Sequence, residues 1–340
     1  MRDRVEPCPK MMVHGPCGGV RADLSCEVGP FPCPFVERRS APAWPCDSGV
    51  VVARSTSVVL DRARGAGPVV LTDLTTDPYD RAGTTAVLDA LRGSCDAVLV
   101  ADHQSQPDFP PTFTAAVLRD AGVPGWVTLT CRDRNEVALA QEIAGLAEVG
   151  VDGVLCVTGD ARGPGVLAGA QQVFALDGTR LAAQAAAAGL AVAVAEAPEA
   201  PPTGVRPERL LVKQHAGAHL GVLNHVSTPT TVAAFVAAAR ALGVTVPILA
   251  GVAVYTDESS AAGLLGLPGL HLDPAAVARV LAAPDPRAEG IAAAVAEARA
   301  LLAIPGVVGV NLSGRATAAG GVPAARIKAE IGTRIKEVPR

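Results

Sequence analysis

From Pro68 onward, short apolar and β-branched runs alternate with longer stretches rich in Ala and Leu. The runs fall at 68–72, 97–101, 126–130, 153–157, 191–195, 220–224, 247–251 and 307–311. Most are apolar throughout, the pattern of strands covered on both faces. The stretches at 82–92, 112–121, 135–149, 180–189, 205–216, 229–242, 285–303 and 323–336 predict helices. Eight strand-then-helix units point to an α/β fold of the (β/α)8 TIM-barrel type. An open doubly wound sheet is the alternative, but no Gly-x-Gly-x-x-Gly follows a strand.

Residues 1–47 break this pattern. They are rich in Cys, Pro and Gly, lack periodicity, and are too few to bury a core without a staple. The predicted organisation is therefore a Cys-rich metal-binding module at 1–47, a linker at 48–66 with room for a helix, and the barrel at 67–340.

Composition narrows the function. Hydrophobic residues make up 49% of the 340 and aromatics only 3%, so the core must be Ala, Val and Leu. The net charge of −4 and the lack of a basic patch argue against nucleic acid. The N-terminal residues lack the apolar stretch of a signal peptide, and the run Leu181–Val194 is too short and too weakly apolar to span a membrane. The expectation is a cytoplasmic protein, compatible with a homo-oligomer.

In a TIM-type barrel the chemistry sits at the C-terminal ends of the strands. The residues just past each run are Asp73, Asp102 with His103, Cys131 with Arg132, Asp160, Glu196, Asn224 with His225, Tyr255 with Thr256, and Ser313 with Arg315. Any one of them reads as a turn former or helix cap, but as a ring on one face they make a candidate site.

Five of eight cysteines lie in the first 46 residues: Cys8, Cys17, Cys26, Cys33 and Cys46. In a reducing compartment such clustering favours metal over disulfides. The spacings contain no Cys-x-x-Cys, so this is not a standard zinc ribbon. Four thiolates suit tetrahedral Zn2+ or a [4Fe–4S] cluster, and the spacing leaves both open. Glycines on both sides of Cys17 would let backbone N–H groups reach a thiolate.

Several segments carry a resemblance. Trp126–Asn135 contains Leu129-Thr130-Cys131, and Gly150–Asp160 ends in Thr158-Gly159-Asp160. His215–Asn224 and Val246–Val252 follow in order. Together they resemble the methylenetetrahydrofolate reductase family over residues 68–315. Cys8-Pro9-Lys10-Met11-Met12, Gly15–Gly19, Cys26-Glu27-Val28 and Cys33-Pro34-Phe35 resemble the cysteine-rich domain of the small partner subunit in two-subunit reductases of acetogenic bacteria.

The resemblance implies reduction of 5,10-methylenetetrahydrofolate to 5-methyltetrahydrofolate through FAD or FMN, with NAD(P)H as electron donor and a redox or reductase protein as partner. It makes Asp73 the counterpart of the family's general acid, one methylene shorter than the family's Glu. It places Asp160 beside flavin and folate, with Asp102, His103, Thr128, Thr130, Arg162 and Gly163 on the cofactor. It places Asn224, His225 and Tyr255 on the folate, and makes Cys8, Cys17, Cys26 and Cys33 the metal ligands, with Cys46 in reserve. Thr128 replaces a family His, and Asp102-His103 replaces a flavin-contacting sequence. A flavin-free one-carbon enzyme and a non-catalytic accessory subunit are the alternatives.

Overall fold

The computed structural model describes residues 8–45, 56–65, 67–103, 106–162 and 170–337. Eight parallel strands close into one barrel in chain order. They are β1 (Val69–Leu74), β2 (Ala97–Val100), β3 (Gly125–Thr130), β4 (Gly153–Val157), β5 (Val192–Glu196), β6 (Leu220–Leu223), β7 (Ile248–Tyr255) and β8 (Val307–Ala316). Alternation along each strand explains the unbroken apolar runs. Val69, Leu71, Leu99, Trp126, Leu155, Val222 and Leu249 fill the barrel interior. Val70, Val98, Val127, Val154, Val192 and Ile248 instead meet the helices outside. Each fully buried Val or Leu contributes about 1.5–3 kcal/mol of transfer free energy, so both faces help to hold the barrel closed.

The helices expected from the sequence form within a residue or two of their predicted bounds. They are α2 (Arg81–Leu91), α3 (Pro111–Asp120), α4 (Glu136–Val149), α5 (Gly178–Ala187), α6 (Arg206–His215), α7 (Pro229–Ala241), α10 (Pro286–Leu302) and α11 (Gly321–Lys336). In the linker, α1 (Val58–Arg64) plugs the N-terminal end of the barrel with Val59 and Leu60. Asp152 fastens it, accepting from the Ser57 hydroxyl at 2.9 Å, the Val58 N–H at 2.6 Å and Trp126 Nε1 at 2.7 Å.

Two short helices between β7 and β8, α8 (Glu258–Leu265) and α9 (Pro274–Leu281), were not expected. Asp257 and Asp273 cap them, each carboxylate accepting a backbone N–H of the first turn.

Residues 8–45 contain almost no regular structure, only an antiparallel bridge between Ser25 and Pro32. Met12, Val20, Cys33 and Phe35 form a small core, with Cys8, Cys17 and Val36 against it. The segment lies across the strand exits of β4, β5 and β6. The Val13 N–H donates to Asp177 at 2.9 Å, the Ala161 N–H to Glu27 at 3.2 Å, and Arg209 to the His14 carbonyl at 2.6 Å. Gly269 is required here. Its φ is +71°, and a Cβ would sit 2.3 Å from the Gly18 carbonyl oxygen. No helix among the described residues is long and apolar enough to cross a membrane.

Candidate functional site

The strand exits surround a cavity of about 650 Å3. Leu99, Thr128, Leu155 and Val222 line its inner part, and Lys10, Met12, Cys17 and Gly18 of the N-terminal segment line one side. The cysteine-rich segment is thus a wall of the cavity.

Asp73 projects from the end of β1, where the barrel closes on itself. Asn311 of β8 donates to Asp73 Oδ1 at 2.9 Å. The Asn311 Oδ1 atom is buried with no hydrogen-bond partner among the described residues. Beneath them Lys328 of α11, 1% exposed, donates to the Asp73 carbonyl at 2.7 Å and to the Thr75 hydroxyl at 3.2 Å. Burial lowers the Lys328 ammonium to about 8, although Asp73 and Cys95 pull it upward. His225, after β6, is fully buried. Burial pushes its imidazole down to about 4, against the pull of Asp73 and a backbone hydrogen bond at Gly251. It is therefore neutral at pH 7.

Asp160 follows β4 and faces the N-terminal segment. Burial raises its carboxyl above the ordinary range; Lys10 and Arg132 oppose the shift and Glu27 adds to it. Lys10 is buried, ion-paired with Glu27, and lies 5.7 Å over the Phe174 ring. The pair brings both a cation and an anion beside the Asp160 carboxyl, on the same cavity wall as Cys17.

The four expected metal ligands lie close enough for their charges to interact. Cys33 is pushed up to about 11 by burial, and Cys17, Cys8 and Cys26 add to the shift. Backbone N–H groups point at three of the sulfurs: Met12 and Lys10 at Cys8, Gly19 at Cys17 and Phe35 at Cys33. These donors oppose the rise that burial imposes on all three thiols, and four sulfur donors are the type that Zn2+ or an iron–sulfur cluster takes. Among the described residues no group of three or more His, Cys, Asp and Glu side chains is arranged to hold a metal ion. Cys46, the reserve ligand, lies outside the described residues.

On the β2–β3 side, Asp102 is fully engaged. It accepts from Thr130 at 2.7 Å, from Arg134 at 2.8 Å and from Arg132 at 3.3 Å. His103 pairs with Asp108 at 3.3 Å, and its carbonyl accepts from Arg132 and Arg162. Arg162 is also bound to Asp133 at 2.8 Å. Asp102, His103, Thr128 and Thr130 line the cavity, and Arg162 reaches the site through Asp133 and His103. Gly163 lies outside the described residues.

Asn224 lines the cavity, its amide 3.4 Å from the Gly269 carbonyl. Tyr255 does not join it. The pairing of β7 with β8 slips between Ala253 and Tyr255, and the ring packs with Ala261, Leu264, Val277 and Val280 beneath α8 and α9. Without those two helices in the sequence reading, Tyr255 looked free to face the ligand.

Sequence reasoning noted Glu196 as a strand-exit residue but missed its role. The carboxylate is buried among Arg206 at 3.3 Å, Arg209 at 3.5 Å and Lys213 at 2.7 Å. Burial pushes Glu196 upward, but the three cations prevail and hold it at about 2. The cluster is over-compensated in charge, so Lys213 shows the reverse: burial lowers it to about 8 despite Glu196, and Arg209 and Arg206 repel it further. Arg206 continues to the carbonyls of Pro16 at 3.2 Å and Cys17 at 3.0 Å. The spacing 206, 209, 213 on one helix face was the available signal.

The arrangement combines carboxyl groups at Asp73 and Asp160, an apolar floor and the buried cations Lys10 and Arg132 in the walls. It suits a flat, polar heterocycle with developing positive charge. A family model described as methylenetetrahydrofolate reductase matches residues 99–308. No curated protein matches the chain. Among solved structures, an uncharacterised protein from Clostridium thermocellum that binds two copies of 5-methyl-5,6,7,8-tetrahydrofolic acid superposes with a TM-score of 0.61 at 13% identity, covering 81% of this chain and 97% of that one. Tryptophan synthase from M. tuberculosis gives a TM-score of 0.48 at 15% identity, covering 84% and 100%. The likeness to the Clostridium protein is one of fold.

Proposed function

The chain belongs to the methylenetetrahydrofolate reductase family, and on that premise we propose that its cavity binds a tetrahydrofolate derivative and reduces 5,10-methylenetetrahydrofolate to 5-methyltetrahydrofolate. One observation carries the reading. Asp73, Asp160, Asn224 and His225, from the ends of β1, β4 and β6, all line one cavity. Opening the folate's five-membered ring needs a proton at the leaving nitrogen and stabilisation of the resulting iminium. Asp73 delivers the proton, with Asn311 fixing its carboxyl. The Asp160 carboxylate supports the cation. Asn224 and His225 contact the pterin. The Clostridium protein's ligand, 5-methyltetrahydrofolate, is the product of this reaction and supports the assignment.

A flavin fits the β2–β4 side. Leu99, Thr128 and Leu155 line the cavity there, with Arg132 beside them and Arg134 paired to Asp102. Thr128, Thr130, His103, Asp102, Asp160, Arg162 and Gly163 would hold FAD or FMN, which when bound supplies the hydride drawn from NAD(P)H. Cys8, Cys17, Cys26 and Cys33 are the proposed donors for Zn2+ or a [4Fe–4S] cluster, whose binding would have to draw their sulfurs together, since the described residues form no metal-holding group as they stand. A redox or reductase partner would dock on the same segment, where Met11, Val13, Leu24 and Phe31 are exposed.

A second reading has a specific observation in its favour. Both Asp102 oxygens are already taken by protein donors, as expected if this side serves no flavin and the enzyme handles the one-carbon unit without one. Anaerobic purification followed by metal analysis and an absorption spectrum separates the readings. A band near roughly 450 nm supports flavin-dependent reduction. A colourless protein that binds tetrahydrofolate supports the second reading. Full turnover by D160N would overturn the site assignment.

A further inference from the structure

Aromatic side chains are scarce in this sequence: six Phe, two Tyr and two Trp. Three of them stand together on one rim of the cavity. Tyr79, in the loop after β1, meets Phe109 edge to face at 5.3 Å and 90°. Phe109 meets Phe113, in the first turn of α3, at 4.4 Å and 40°. Phe109 lines the cavity, while Tyr79 is 58% exposed and Phe113 is 36% exposed. None of the three belongs to a buried hydrophobic cluster. Apolar surface grouped in water beside a cavity marks a binding surface more often than a packing accident.

The backbone is committed to this arrangement. Tyr79 has φ +59°, a left-handed conformation that is costly for a bulky residue. Asp108 holds both loops: its Oδ1 accepts from the Tyr79 N–H and from the Phe109 N–H, each at 2.7 Å. Its Oδ2 pairs with His103. One carboxylate therefore fixes two aromatic residues that lie 30 positions apart.

The cavity wall runs from Asp73 through Thr75 and Pro78 to Phe109. Across the mouth, the N-terminal segment contributes Lys10, Met12, Cys17 and Gly18. A ligand with its reacting end at Asp73 meets the Phe109 rim where its tail follows this wall toward solvent. We propose that Phe109, braced by Tyr79 and Phe113, stacks on the aminobenzoyl ring of the bound folate and so selects folates over free pterins. This inference rests on the reading of the cavity as a folate site. Offset or edge-to-face contact between arenes supplies the selectivity, since a free tetrahydropterin has no second ring to place there.

The test is calorimetric titration of the full chain with 5-methyltetrahydrofolate and with 6-methyltetrahydropterin, which lacks the aminobenzoyl ring. F109L keeps apolar bulk and removes the arene. It is expected to weaken folate binding roughly 3- to 10-fold and pterin binding less than about 2-fold. F113L, which removes the brace, gives the same selective loss and serves if F109L fails to fold. Unchanged folate affinity in both variants overturns the inference, as does an equal loss for both ligands. Selective loss of NADH affinity also overturns it, placing the dinucleotide's base on the rim. If the folded wild type binds no folate at all, it is the reading of the cavity that has failed.

Discussion

Asn311 on the last strand donates its side-chain amide to the Asp73 carboxylate on the first, at 2.9 Å. The two strands pair directly at this seam, with Leu71 opposite Asn311. The proposed acid is thus held by the closure of the barrel. D73N should lower turnover by about 100-fold or more, because general acid catalysis is worth roughly 100- to 10,000-fold. N311A should cost about tenfold in kcat with little change in KM, since it loosens the acid without removing it. Single-turnover rates on 5,10-methylenetetrahydrofolate check both, and wild-type rates in D73N would remove Asp73 from the mechanism.

Glu196 neutralises part of a buried cluster of three cations. Truncating the anion leaves those charges uncompensated, which costs about 3–5 kcal/mol. E196Q should lose that much in urea unfolding, and limited proteolysis should cut residues 8–45 first, because Arg206 holds the carbonyls of Pro16 and Cys17. The Glu196 carboxyl lies below its ordinary value of 4.5, at about 2. Its contribution is therefore complete above pH 4.5 and is lost as pH falls through 2.

His225 sets a milder limit. Its folded value of about 4 lies below its ordinary 6.5, so the folded state binds fewer protons between those values. Stability is full above pH 6.5 and declines as pH falls toward 4, by a few kcal/mol in order of magnitude. The imidazole signals of His225 should show no titration by NMR from pH 8 down to about 5. A midpoint near 6.5 would show that the ring is solvated.

Asp152 accepts four hydrogen bonds at the closed end of the barrel, from the Ser57 hydroxyl, the Val58 and Val59 N–H groups and Trp126 Nε1. D152A leaves the buried Trp126 Nε1 without an acceptor and frees α1. The expected cost is roughly 2–4 kcal/mol, on the scale of one unsatisfied buried donor and the lost bonds of the helix start. Trp126 emission, read in a W44F background, should shift to the red before global unfolding.

The barrel was legible because most strands are apolar on both faces and eight of them alternate with helices; a doubly wound sheet shares that pattern but lacked its Gly-x-Gly-x-x-Gly turn. Gly251 shows where such reading stops short. It looked like the end of β7, yet β7 runs on to Tyr255, and the glycine is there because a Cβ would meet the Leu223 carbonyl oxygen at 2.8 Å. α8 has little apolar period and both α8 and α9 are only eight residues long, so they passed for a loop and Tyr255 looked free for a ligand, whereas it belongs to their core. Asp160, Asn224 and His225 could be placed at the cavity from their positions after a strand, and they line it. Lys328 and the cations around Glu196 could not, because they come from helices and reach the strand ends only in three dimensions. The Phe109 rim was invisible for the same reason: residues 79, 109 and 113 converge through loops.

The docking of residues 8–45 across β4 to β6 also sets an order of assembly. Cys17 leaves the ribosome long before Arg206, and Gly18 before Gly269, yet each needs the later residue in place. Contacts separated by some 190 to 250 positions are slow to close and leave apolar side chains that meet the barrel, such as Met12 against Thr158, unsheltered meanwhile. The segment at 8–45 is therefore made before the barrel it docks on but completed after it, and the cavity gains that wall only once the barrel is built.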